Sequence, residues 1–109
     1  MGFEEQIDTG DRAITSEARE YLTPGGESIK ASLRIDRKEP NDPYAMYLIK
    51  ENKDGSEENI HIAFLGNNTD VAVAVYEKVR AISMRDKKPP MPTEGQVQTI
   101  RDEIMAKKS

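Results

Sequence analysis

Between Ser28 and Leu65 three apolar-rich runs are separated by turn residues, the first alternating apolar and polar positions with a period of two, and together they predict three consecutive strands. In the first, Ser28 to Asp36, Ile29, Ala31, Leu33 and Ile35 share one face, and Lys30, Ser32, Arg34 and Asp36 share the other. The turn residues Pro40, Asn41, Asp42 and Pro43 follow it. The second strand, Tyr44 to Glu51, sets Tyr44, Met46 and Leu48 against Ala45, Tyr47 and Ile49. Asp54-Gly55 then marks a hairpin tip. In the third strand, Asn59 to Leu65, strict alternation groups Ile60, Ile62 and Phe64 on one side and His61, Ala63 and Leu65 on the other. The connections are short, so an antiparallel meander with the second strand in the centre is expected.

The flanking segments read as helices. Thr15 or Ser16 can cap a short helix with Glu17 in its first turn, running through Ala18 and Leu22 until Pro24-Gly25-Gly26 stops it. After Gly66-Asn67-Asn68-Thr69 the period changes to 3.6 residues. Val71, Val75, Val79 and Ile82 form a stripe on a helix of roughly Asp70 to Arg85. Pro89, Pro90 and Pro92 interrupt the chain as a semi-rigid spacer. Thr93 with Gln96 then forms a capping box for a helix through Val97, Ile100 and Ile104. The expected organisation is an α+β fold. An acidic arm over 1–14, read as flexible, precedes a single domain over 15–88, the spacer at 89–92, and a helix with its tail over 93–109.

Two of the three strands carry apolar residues on both faces, so the sheet needs cover twice. The helix from Asp70 supplies one layer. For the second face three covers are expected: the C-terminal helix, a second copy or another protein, or a single-stranded nucleic acid. Tyr47, Ile49 and Leu65 are the candidate protein-binding residues there.

Composition narrows the chemistry. The chain has 109 residues, 36% of them hydrophobic and 33% charged, which suits one modest core. Without cysteine there is no disulfide, no thiol chemistry and no cysteine zinc motif. With one histidine, His61, no His/Cys metal cluster can be assembled, and a nucleophilic triad would have to use that one residue as its base. His61 itself reads first as a half-buried strand residue and second as a general base or a pH-sensitive contact on the exposed face. Asn52, Asp54 and Ser56 fail as a calcium loop because glycine falls at Gly55 and no glutamate closes the loop. Gly66-Asn67-Asn68-Thr69 resembles an anion-holding helix start, but it lacks any nucleotide-loop pattern and reads as a cap. The expectation is a non-enzyme without cofactor or metal. No apolar run approaches a membrane span, and the acidic first residues lack a signal-peptide layout, so a cytoplasmic protein is expected.

The net charge of −4 is unevenly distributed, with seven acids against Arg12 and Arg19 in residues 1–27. That disfavours non-specific binding to phosphate backbones. One basic cluster, Lys30, Arg34, Arg37 and Lys38, adjoins Tyr47, whose ring has the geometry for base stacking. Interleaved Asp36, Glu39 and Asp42 weaken its potential. Over about residues 15–85, three strands followed by a helix is an element order similar to double-stranded-RNA-binding domains and to ethylene-response-type DNA-binding domains. It is also similar to one repeat of the Pur or Whirly single-strand binders. Their distinguishing motifs, a lysine-rich helix start or an arginine-rich, tryptophan-bearing sheet, are absent here. The leading expectation is an interaction or regulatory module that binds a protein, as an inhibitor or a homodimerising adaptor. The alternative is nucleic-acid binding through Lys30, Arg34, Arg37, Lys38 and Tyr47.

Overall fold

The computed structural model describes residues 13–108, within which an antiparallel five-stranded sheet packs against two helices. The strands are β1 (Ile14–Thr15), β2 (Arg19–Leu22), β3 (Ser28–Asp36), β4 (Tyr44–Glu51) and β5 (Glu57–Gly66). The helices are α1 (Thr69–Ser83) and α2 (Glu94–Lys108). The α+β reading therefore holds, with a sheet wider than the expected meander. Most of the arm predicted at 1–14 lies outside the described residues, although Ile14 belongs to β1.

β3 and β4 follow their alternation. Ala31, Leu33 and Ile35 of β3 and Tyr44, Met46 and Leu48 of β4 are fully buried, in a register that pairs Leu33 with Leu48 and Ile35 with Met46. The inner face they form carries α1, which buries Val71, Ala72, Val75, Tyr76 and Val79 against it. The helix starts where the Asn68 side chain accepts the Val71 amide at 3.1 Å, satisfying one of the donors that a first turn leaves open. Gly66 reaches φ +85° at the turn out of β5, a backbone conformation that a side chain disfavours.

The segment read as a short N-terminal helix is instead β1 and β2, both paired with the outer edge of β3. A helix of so few residues is marginal without tertiary support, whereas β3 presents an unpaired row of amides and carbonyls. Extended pairing also sends Tyr21 into the core at 1% exposure and leaves Leu22 largely outside. Ser16 joins the two pieces by donating its amide to the Leu33 carbonyl and accepting the Leu33 amide on Oγ, at 2.8 and 2.9 Å.

The proline segment is docked as well. Leu22 donates to the Pro89 carbonyl and accepts from the Met91 amide, at 2.8 and 3.0 Å, so residues 89–91 cover the open edge of β2. The turn before it is tied back by Arg19 to the Asp86 carbonyl. From there α2 runs antiparallel to α1: Arg101 and Met105 lie beside the start of α1, and Gln96 lies beside its end. Thr93 Oγ1 caps α2 by accepting the Gln96 amide at 3.2 Å. Val97 and Ile100 join the same core as α1, so both helices occupy one side of the sheet.

Candidate interaction face

With both helices on the inner side, no element among the described residues covers the other side of the sheet, which is a grid set by register. Across β3, β4 and β5 the rows are Ser32–Ile49–Asn59, Arg34–Tyr47–His61 and Asp36–Ala45–Phe64. Thr15 extends the middle row onto β1.

The presence of Phe64 in this grid corrects the expected parity of the third strand. Met46 pairs with Ala63 but Tyr47 pairs with His61, so Ile62 is an extra residue. Ala45 pairs with Phe64 but Tyr44 pairs with Gly66, so Leu65 is a second one. Each bulge opposes two residues to one and shifts the alternation by a position. Ile62, Ala63 and Leu65 consequently all lie inside, at 7%, 0% and 1% exposure, while Phe64 is 54% exposed. Leu65, expected on the open face, is a core residue, and Phe64 holds the place assigned to it. One signal in the sequence was available: Ile62 to Leu65 is a run of four apolar residues where alternation supplies two.

Tyr47 lies at the centre of the grid and is fixed by a polar network. Arg34 Nε donates to Asp36 Oδ2 and to the Tyr47 hydroxyl, each at 3.0 Å, and the Tyr47 hydroxyl donates a short hydrogen bond to the same carboxylate oxygen. Arg34 Nη1 donates to Thr15 Oγ1 at 2.6 Å. Burial and the bond to Asp36 raise the Tyr47 hydroxyl above the ordinary phenol value despite the neighbouring Arg34. Burial pulls the Arg34 guanidinium down, but its bonds and charge interactions with Asp36 and Tyr47 outweigh that and hold it above its usual value. The network fixes the ring in place and largely neutralises Arg34.

Around this centre, His61 and Phe64 form a tilted aromatic pair with ring centroids 4.7 Å apart. The Arg37 guanidinium sits 4.5 Å from the centroid of the buried Tyr44 ring and donates to the Asn67 carbonyl. Ile49 is half-buried on the grid, as expected. Tyr47, His61 and Phe64 line a shallow concavity of about 730 Å3 with Ala45, Pro43 and the loop residues Arg37 and Lys38.

The candidate nucleic-acid residues are dispersed in function by these contacts. Arg34 is paired to Asp36, and Arg37 is committed to Tyr44 and Asn67. Lys30 faces Glu20 across the β2–β3 pair, and Lys38 is exposed. Among the described residues no three His, Asp or Glu side chains form a metal-ligating group, and no helix is long and apolar enough to cross a membrane. Comparison of the chain with protein-family models, with curated proteins and with solved structures returns no match.

Proposed function

We propose that the chain is a non-catalytic interaction module that docks a protein partner on the open face of its sheet. One observation carries this reading: both helices pack on the inner side, and the outer side displays Phe64, 54% exposed, opposite Ala45 and next to the row of Tyr47. Covering the exposed half of a phenylalanine removes on the order of 100 Å2 of apolar surface, about 2–3 kcal/mol, which is the scale of an interface hot spot. A ring already held by hydrogen bonds, as Tyr47 is, loses little freedom on docking. The same face argues less well for nucleic acid, because the charge of Arg34 is neutralised within the protein and the chain as a whole is acidic.

Site-specific photo-crosslinking in cells tests the proposal. A photoreactive residue at Asn59 or His61, on the face, is expected to trap discrete protein adducts that Phe64→Asp removes. The same probe at Glu77, exposed on α1, is expected to trap none of them. Equal adducts from both positions, or salt-sensitive oligonucleotide binding lost in Lys30→Glu/Lys38→Glu, would overturn it.

A further inference from the structure

The chain enters its described portion at the rim of the open face. β1 runs antiparallel to β3 with Ile14 opposite Ile35, so the residues ahead of it lead toward Asp36 and the loop of Arg37 and Lys38. Those three residues line the concavity of about 730 Å3 whose floor includes Tyr47 and Phe64. Ala13, the first residue described, is exposed, and alternation sets it on the same side of the sheet as Thr15. Thr15 is itself joined to the floor: its Oγ1 accepts from Arg34, which also donates to the Tyr47 hydroxyl. Residues 1–12 are therefore attached beside the concavity.

Reach and side-chain spacing single out that segment as an occupant. From β1 to β5 is three interstrand steps, about 15 Å. Six residues of extended chain span about 20 Å, so Ile7 has the length to reach Phe64, and Phe3 has more. Phe3 and Ile7 are four residues apart, a spacing that puts both on one side of a strand or of a helix. A concavity of this size takes a few side chains, and its apolar floor suits these two. A short tether holds a segment at an effective concentration in the millimolar range, so contacts too weak for a free peptide still occupy the site.

We infer that residues 1–12 fold back over the concavity, with Phe3 and Ile7 on the Tyr47–Phe64 floor, and so compete with the protein partner for the open face. The competition rests on the reading of that face as a docking surface; the intramolecular contact does not.

Paramagnetic relaxation in the full chain tests the contact. The chain has no cysteine, so Gln6→Cys takes a single nitroxide label. The label is expected to broaden the amides of Ala45, Tyr47, His61 and Phe64 and to leave Glu77 on α1 sharp. Phe3→Ser/Ile7→Ser keeps the tether and should remove most of that broadening, with circular dichroism unchanged. Three results overturn the inference: broadening that survives the double substitution, broadening absent from the open face, and equal broadening in a nitroxide-free copy mixed with the labelled one. The competition is read from photo-crosslinks at Asn59. A segment that covers the face at least half the time lowers a partner's apparent affinity about twofold or more, so Phe3→Ser/Ile7→Ser should raise the adduct yield by that factor below saturation. Unchanged adducts beside a broadened face overturn the competition. No adduct from either chain overturns the docking reading instead, and the relaxation result then decides the contact alone.

Discussion

Phe64 and Leu65 are chain neighbours with opposite fates in the bulged register of β5, and replacing each with Asp should give opposite results. Leu65 is 1% exposed, beneath the cavity edge formed by Val71 of α1 and Met105 of α2. Leu65→Asp forfeits about 2–3 kcal/mol of apolar burial and places a carboxylate without a partner where desolvation costs several kcal/mol more. The sum exceeds about 5 kcal/mol, the lower end of the stability of a small domain, so this variant should show no cooperative unfolding transition. Phe64 is 54% exposed, and an Asp there stays in water. Only the buried part of the ring and its contact with His61 are lost, about 1–2 kcal/mol, which lowers the melting temperature by roughly 4–16 °C in a domain of this size. Urea and thermal unfolding followed by circular dichroism measure both. A Phe64→Asp variant as damaged as Leu65→Asp, or more so, would refute the bulged register and remove Phe64 from the open face.

Three further outcomes follow from local geometry. Asn68→Ala should cost about 1 kcal/mol by removing the acceptor of the Val71 amide, while Asn68→Asp should retain most of it; urea midpoints separate the two. Gly66→Ala should cost about 1–2 kcal/mol although nothing crowds the new methyl group, because the penalty lies in the left-handed backbone. The same change at Gly95, on α2 with φ outside that region, should be neutral or stabilising. Tyr47 and Tyr76, both raised chiefly by burial, keep their protons longer in the folded chain than in the unfolded one. Their contribution is therefore complete below the ordinary phenol value of about 10 and is lost as pH rises from there through the folded values. Urea midpoints should fall across that window, and Tyr47→Phe should flatten the fall; a midpoint that rises with pH there contradicts the assignment.

The sequence made β3 legible to the residue, because its alternation of apolar and polar residues is a direct record of burial; for β4, apolar on both faces, its extent was legible but its buried face was not. It made α1 legible through its valine stripe and cap, and α2 through Thr93 and Gln96. The failures have physical causes. In β5 the period of two is broken twice, so every parity assignment beyond Ile62 inverts, and Leu65 was assigned to the surface that Phe64 occupies. Over residues 15–22 the local cues for a helix are genuine, but pairing with the edge of β3 is a long-range contact that overrides them. The proline run is a stiff spacer by composition, yet its two bonds to Leu22 fix it along the sheet and steer α2 onto the side already covered by α1. Of the candidate site, the sequence showed that Tyr47 and Ile49 share a face, but with both faces of β4 apolar it could not show which one the helices leave uncovered. The pairing of Arg34 with Asp36 was not legible, although both lie on one face two residues apart.

A partner on the outer face of the sheet touches residues that a partner on the helices does not. Heteronuclear NMR of the labelled full chain, titrated with the protein that crosslinks at Asn59 or His61, separates the two residue by residue. The amide shifts should move at Ala45, Tyr47, His61 and Phe64 and in the loop bearing Arg37 and Lys38, with α1 and α2 undisturbed. Shifts concentrated on α1, α2 or the docked proline segment, with the open face silent, would contradict the assignment of the open face as the docking surface.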